Sequence, residues 1–251
     1  MNLSVVVTTS NSEKYLNQCL ESVKDVAGEI IVFDLSSTDN TPNIAKSFGA
    51  KIVNHPHVDY GDKIRDKSIR LAQSKWILLL DHDEAITKKF SGQIQNLIKD
   101  DNISAYNIPR KNIFWGAWIA HTNFWPDRQI RLFQKDKVVW PEQIHTYAKV
   151  NGLVVDLPPD PDIAIVHHGY DSLTQFYDRQ NRYSSVEAEE QSKTQKYSAN
   201  RTFFQVAKTW LARYIKHLGF LDGYSGLFLV YSLMVTQIST SVKLWERSRS
   251  G

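Results

Sequence analysis

The sequence predicts an α/β protein, a doubly wound and mostly parallel sheet followed by a helical extension at the C-terminus. Short apolar runs recur through the first hundred residues, among them Val5-Val6-Val7-Thr8, Ile30-Ile31-Val32-Phe33 and Trp76-Ile77-Leu78-Leu79-Leu80. Runs without polar alternation read as strands buried on both faces, as in parallel sheets covered by helices. Segments with apolar positions at helical spacing lie between them, and polar clusters follow directly after them. Alternating strand and helix signals make a parallel sheet with right-handed crossovers the economical topology.

Each element has its own signal. After Val5 to Thr8, the residues Ser10-Asn11-Ser12 offer helix caps before Tyr15, Leu16, Cys19, Leu20 and Val23 at helical spacing. The second strand ends in Asp34, and Ser36-Ser37-Thr38-Asp39 introduces a helix with Pro42 in its first turn and Gly49 at its stop. Lys51-Ile52-Val53 is a third strand, a helix runs from about Asp62 to Ala72, and Trp76 to Leu80 is the fourth strand. A helix near Phe90 to Ile98 precedes a fifth strand at Ala105 to Pro109. Beyond it, Asn112 to Pro126 reads as an aromatic-rich loop or hairpin, and Arg128 to Gln134 and Val138 to Trp140 as antiparallel strands. Ser172 to about Gln195, Phe203 to Lys216 and Gly226 to Trp245 read as helices, the last two split near Gly219-Phe220-Leu221-Asp222-Gly223.

Composition narrows the function. A chain of 251 residues with 42% hydrophobic content can bury one substantial core with a small extra subdomain. The single Cys19 excludes an intrachain disulfide and fits a reducing, cytoplasmic setting. Net charge is only +3, but from Arg201 onward seven basic residues face two acidic ones. Such a tail fits an anionic membrane surface better than nucleic acid, which the small overall charge argues against. Its longest apolar stretch, Gly226 to Val235, is far short of the ~20 residues of a membrane span, so peripheral contact through residues 201–251 is the expectation.

Three polar clusters mark the C-terminal ends of predicted strands: Thr8 to Asn11, Asp34 with Ser36 to Asp39, and Asp81-His82-Asp83-Glu84. An open α/β sheet brings such ends to one ligand crevice. Any one cluster could simply cap a helix; their convergence points to a ligand. No G-x-G-x-x-G and no P-loop is present, so phosphate must be handled otherwise. Asp83, with Asp81 or His82 nearby, can hold a hard divalent cation, magnesium or manganese, against a diphosphate.

The segments Leu3 to Leu16, Glu29 to Thr41 and Trp76 to Glu84 resemble the GT-A domain of family 2 inverting glycosyltransferases. Arg131-Leu132-Phe133, Ile144-His145, Arg179 to Ser184 with Glu187-Ala188, and Gly219 to Gly223 are similar to the small members that build lipopolysaccharide core and surface glycans. The resemblance implies a nucleotide-sugar domain over residues 1–200, with a donor half at 1–110 and an acceptor half at 111–200, and amphipathic helices over 201–251. It implies that Thr9, Asn11 and Asp34 lie by the nucleotide base, that Asp81 and His82 border the ribose and diphosphate, that Asp83 is the main metal ligand, and that Arg65 lies near the phosphates. The donor would be a UDP-sugar, and the acceptor a glycolipid or oligosaccharide.

This chain departs from that pattern in places. Asp34 is followed by Leu35 rather than by a second acid, and Ile144-His145 by Thr146 rather than by the carboxylate that serves many relatives as general base. Glu142 is therefore the candidate base, with His145 and Asp127 behind it. In His167-His168 adjacent strand residues point to opposite faces, so one faces the cleft and the other packs. The aromatic segment Phe114 to Trp118, with Phe124-Trp125, suits an acceptor platform or plain core equally. Two other classes stay open: a metal-dependent nucleotidyltransferase, and a catalytically degenerate family member that binds a glycan or partner.

Overall fold

The computed structural model describes residues 2–58, 64–141 and 148–249. They form two compact units, one made of Met1–Arg110 with Asp127–His167 and the other of Lys111–Pro126 with His168–Gly251.

The first unit begins as predicted. Strand β1 (Leu3–Thr9) leads to α1 (Leu16–Val23), β2 (Glu29–Asp34), α2 (Thr41–Ser47), β3 (Lys51–Asn54), α3 (Arg65–Arg70) and β4 (Trp76–Asp81). β5 (Glu84–Ile86), α4 (Lys88–Leu97) and β6 (Ile103–Phe114) follow. After β7 (Ala117–Trp118) come β8 (Asp127–Gln134), β9 (Val138–Val139), β10 (Lys149–Val150), β11 (Leu153–Asp156) and β12 (Ile165–Tyr170). Among the described residues the main sheet runs β3-β2-β1-β4-β8-β6-β12-β5.

β1 and β4 are buried on both faces because their central runs, Val5 to Val7 and Trp76 to Leu80, are apolar at every position. Leu3, Val5, Val7, Trp76, Leu78 and Leu80 join one core cluster, with α1 and α4 residues such as Leu16, Cys19, Phe90 and Ile94. Val6, Ile77 and Leu79 point the other way, toward Ile69, Phe133 and Trp140. The period-two alternation thus feeds two cores from one strand.

The sheet departs from an unbroken parallel series at β4. The next strand in sequence with a strong signal, β6, does not pair with it; β8 is inserted between them and runs antiparallel to both. β6 is also longer than expected, and the Asn112 to Pro126 segment is the hairpin formed by its end and β7, turning through Trp115 and Gly116 at φ 52° and 77°. Gly116 supplies the left-handed conformation at no steric cost. The helix expected from Asp62 is seen from Ile64 onward; residues 59–63 lie outside the described ones.

The second unit is helical, with α5 (Leu173–Ser192), α6 (Ala199–Trp210) continuing as a π-helical turn over Leu211–Lys216, and α7 (Gly223–Arg249). Phe114, Ile119, Phe176 and Leu229 form its small core, with Trp115, Phe124 and Tyr170 packed against it. Much of the aromatic segment is therefore core, while Trp118 and Trp125 meet edge to face at 5.5 Å with Lys111 over the Trp118 ring at 4.5 Å. The Gly219 to Gly223 motif is a structural latch. Asp222 accepts the backbone N–H groups of Ala120 (3.1 Å) and His121 (2.9 Å) and meets His121 Nδ1 at 2.8 Å. A Cβ on Gly226 would stand 2.1 Å from the Gly219 carbonyl oxygen, so this corner requires glycine.

The stretch Gly219–Arg249 spans 31 residues and is long and apolar enough, by length and composition, to cross a membrane; 28% of its apolar window is buried. The expectation drawn from Gly226 to Val235 is corrected on this point, because the uncharged helix continues through Thr236 and Gln237 to Val242.

Candidate active site

Sheet register aligns the three polar strand ends. Thr9 pairs with Asp34 across β1 and β2, and Thr8 pairs with Asp81 across β1 and β4. Thr9 and Asp34 are buried, and the Thr9 hydroxyl donates to Asp34 Oδ1 at 3.1 Å. Asp34 also accepts the Ser37 N–H at 3.2 Å and the Ser37 hydroxyl. Asn11, at φ 47°, donates its N–H to Ser37 Oγ (2.8 Å) and accepts the Thr38 N–H at Oδ1 (2.8 Å). Thr9, Asn11 and Asp34 are thus brought together in one hydrogen-bonded cluster through Ser37 and Thr38; αL backbone suits Asn better than most residues. Of the helix caps foreseen at Ser10 to Ser12 and Ser36 to Asp39, Asn11, Ser37 and Thr38 are spent on this cluster, while Asp39 Oδ1 accepts the Thr41 N–H at 3.0 Å where α2 begins; the N-cap residues themselves, Tyr15 and Asn40, make no side-chain cap.

The Asp81-His82-Asp83-Glu84 cluster is the turn from β4 into β5. Asp81 does not stand open. Arg65 Nη2 donates to its two oxygens at 3.0 and 3.1 Å, and Arg131 Nη2 to Oδ2 at 2.7 Å. Arg131 also donates to Glu84 Oε1 at 2.9 Å, Arg110 Nη1 donates to the same oxygen at 3.0 Å, and Arg110 continues to Asp127 Oδ2 through Nε (2.9 Å) and Nη2 (2.6 Å). Glu84 Oε2 accepts the Asp81 N–H at 3.1 Å. The result is a ladder, Arg65–Asp81–Arg131–Glu84–Arg110–Asp127, in which no charge is buried without an opposite neighbour. Asp127, the reserve candidate for general base, is engaged in this ladder.

Electrostatics follow from the ladder. Burial opposes ionisation of Asp81, but Arg131, then Arg65 and Arg110, hold its carboxyl well below the usual range. Glu84 is lowered in the same way, chiefly by Arg131 against burial and against Asp81. Arg131 and Arg110 are correspondingly raised despite their burial. Beneath the turn, the thiol of Cys19 faces the Asp81 carbonyl at 3.8 Å; burial, then Glu84, Asp83 and Asp81, push its pKa well up and keep it inert.

Asp83 is 8% exposed, and its Oδ2 lies 3.8 Å from His167 Nε2. β12 brings His167 there by pairing it with Glu84 of β5. Burial, reinforced by Arg110, lowers the His167 pKa, so the imidazole is neutral at neutral pH. No group of three or more His, Cys, Asp or Glu side chains able to hold a metal occurs among the described residues. One carboxylate and one neutral imidazole nonetheless fit a Mn²⁺ or Mg²⁺ ion whose remaining positions are filled by diphosphate oxygens and water, since such ions are rarely caged by protein alone. His82 is half-buried in the turn. Glu142 and His145 lie outside the described residues.

The sequence reading took in Arg65 but not the parts played by Arg110, Arg131, Glu84 and His167. A partial signal was present: Arg131 stands between Ile130 and Leu132-Phe133, and a buried arginine needs a carboxylate. Which carboxylate depended on the insertion of β8 next to β4.

Parallel strand ends converging on a carboxylate turn, with a sheet continued by antiparallel strands, define a GT-A-type glycosyltransferase domain. The glycosyl transferase family 2 pattern matches residues 4–154, and the chain belongs to that family; it is a glycosyltransferase. It is 26% identical over 246 residues to an uncharacterized glycosyltransferase of Rickettsia typhi, covering 89% of this chain and 80% of the relative. It is 23% identical over 265 residues to the lipopolysaccharide core biosynthesis glycosyltransferase LpsC of Rhizobium meliloti, covering 98% and 92%. The crystal structure of S. aureus TarS shares the fold at a TM-score of 0.50, with 16% identity and coverage of 100% of this chain and 92% of that one.

Proposed function

We propose that this protein transfers a sugar, with inversion, from a UDP-sugar to a glycolipid or lipopolysaccharide-type acceptor at the cytoplasmic face of the membrane. The observation that carries the reading is Asp83 lying 3.8 Å from His167 in the turn after β4, whose end is aligned by sheet register with the Thr9–Asp34 pair. The similarity to LpsC along nearly the whole chain supports the acceptor class.

In this reading the Asp34 carboxylate accepts the imide N–H of uracil, with Thr9 and Asn11 in the same cluster. Asp81 and His82 border the ribose and diphosphate. Asp83 and His167 would hold Mn²⁺ or Mg²⁺, which when bound neutralises the diphosphate as it departs. Arg65, with 14% of its side chain exposed against 3% for Arg131, is the rung best placed to turn from Asp81 to an incoming phosphate. Arg131 and Arg110 remain and hold the turn rigid. Glu142 takes the proton of the acceptor hydroxyl as the anomeric carbon is attacked from the face opposite the diphosphate.

The test combines a donor panel with site variants. UDP and UDP-sugars with manganese should raise the melting temperature, and GDP- and dTDP-sugars should not, because only ligands bound to the native state stabilise it. Asp83→Asn and His167→Gln should each abolish the manganese-dependent part of the shift. A shift independent of both residues would overturn the metal assignment, and near wild-type transfer by Glu142→Gln would remove Glu142 as base.

A further inference from the structure

Helix α7 packs Leu229, Val230 and Leu244 inward but leaves its aromatic side chains exposed. The side chains it turns inward include polar ones: Thr240 donates to Glu187 Oε2 of α5 at 3.3 Å, Gln237 to Thr209 Oγ1 of α6 at 2.7 Å, and Lys243 to the Asn181 carbonyl and the Ser184 and Ser185 hydroxyls at 2.6 to 2.8 Å. Ser232 and Thr240 are 1% and 4% exposed. Its outward row is apolar: Tyr224, Phe228, Tyr231, Ile238, Val242 and Trp245, recurring at three- and four-residue steps with one gap at the half-buried Val235, are 40 to 81% exposed. A second row runs along α6 and its π-helical continuation through Phe204, Leu211, Ile215 and Leu218, each 44 to 69% exposed, with exposed Lys208 set between Phe204 and Leu211.

We infer that these two rows form a surface that lies in an anionic lipid interface, deepening the peripheral placement proposed above and resting on it. Charge selects the occupant. From Ala199 to Trp245 the only acid is Asp222, whose side chain is 3% exposed and engaged by His121; Glu246, one turn beyond Val242, is exposed at the far end of the row, where Arg247 and Arg249 offset it, so the face is net positive. Tyr and Trp suit the headgroup level, where a ring is apolar and its polar tip stays wet, and Lys208 and Lys216 can extend to lipid phosphates. A second copy of the chain is the weaker occupant. Tyr, Phe and Trp are poor seam residues for a coiled coil, acidic residues are confined to Glu246 at one end of the row, and a lysine within the second row would be buried at a cost. Spanning the bilayer is disfavoured as well, because one long side of α7 is bonded to α5, a helix carrying Glu187, Glu189 and Glu190. One apolar face backed by polar helices is the pattern of a helix that lies in the interface.

The full chain should co-sediment with phosphatidylcholine vesicles containing phosphatidylglycerol, more weakly as salt is raised. Bromolipids in those vesicles should quench its tryptophan fluorescence. Phe228→Ser with Tyr231→Ser should weaken binding at least tenfold, and Lys208→Gln with Lys216→Gln about fivefold per charge on anionic vesicles alone. Three results would each overturn the inference: no vesicle binding with no quenching; a solution dimer that Phe228→Ser turns into monomer without any lipid dependence; or retention after alkaline carbonate washing, which marks a span. The thermal response to UDP and manganese reports separately on the transferase reading. Loss of that response with vesicle binding intact sinks the donor site and leaves the surface standing.

Discussion

The sheet unit and the C-terminal helices both bury polar groups, yet they treat their outer surfaces in opposite ways. Around β4 and β5 the buried groups are full charges, arranged so that Asp81, Glu84 and Asp127 alternate with Arg65, Arg131 and Arg110. In α7 the buried polar groups are the hydroxyls of Ser232 and Thr240, set among Leu229, Val230 and Leu244, and the outside carries Tyr, Phe and Trp. A charge ladder of this kind costs desolvation and is retained where a site must be held in one geometry. An aromatic exterior costs hydration and is retained where another surface covers it. The contrast separates a region shaped to hold charge from one shaped to meet something apolar.

The strongest break in this comparison is Asp83→Asn. It should lower transfer by about 10³-fold, the worth of the several kcal/mol a metal supplies to a leaving group. Chemical denaturation should show stability altered by less than about 1 kcal/mol, since Asp83 is not a rung of the ladder. Arg131→Ala should do the reverse in kind, destabilising by about 3–5 kcal/mol because Glu84 is left buried with one of its two arginines gone. Phe228→Ser on the outer face of α7 should stay within about 0.5 kcal/mol in the same assay. Equal losses from the two would erase the distinction between the regions.

Acid should find the ladder first. Asp81 and Glu84 have depressed pKa values in the folded state, so their contribution is complete above the unfolded carboxylate range. It is lost as pH falls from about 4.5 through the folded values. His167 is also depressed, so protonation favours the unfolded chain and some stability disappears as pH falls below about 6.5. His167→Gln should flatten that upper limb while leaving the carboxylate limb in place, measured as unfolding midpoint against pH.

Smaller effects sharpen the helical side. Asp222→Ala should cost about 1–3 kcal/mol, since it strips the acceptor from the Ala120 and His121 N–H groups. The Ser232 hydroxyl is buried with no hydrogen-bond partner among the described residues. Ser232→Ala should therefore be neutral or stabilising by up to about 1 kcal/mol in thermal unfolding, and a loss of stability would mean that hydroxyl has a partner after all.

Much of the donor side was legible because strand, helix and strand-end chemistry are local. β1, β2, β3 and β4 fall where apolar runs predict them, and Thr9, Asp34 and Asp81 fall at their ends. The His167-His168 pair was read correctly in kind, since alternation sends one ring to Asp83, but nothing local said which. The order of the sheet beyond β4 was not legible, because pairing of β8 between β4 and β6 is a long-range choice with no sequence period of its own. For the same reason the Gly219 to Gly223 motif read as a break between helices, and its Asp222 latch onto residues 120–121 became visible only in three dimensions.

By itself the sequence determined the fold class and the strand-end clusters, which follow from apolar periodicity and short polar motifs, and its ordered segments carried the resemblance to the family. Only the tertiary structure decided that Asp81 is held between two arginines, that His167 comes within 3.8 Å of Asp83, and that α7 buries Ser232 and Thr240 while leaving Phe228, Tyr231 and Trp245 exposed. Those outcomes rest on which strands and helices become neighbours, and burial and charge pairing across such neighbours are properties of the packed chain rather than of any segment.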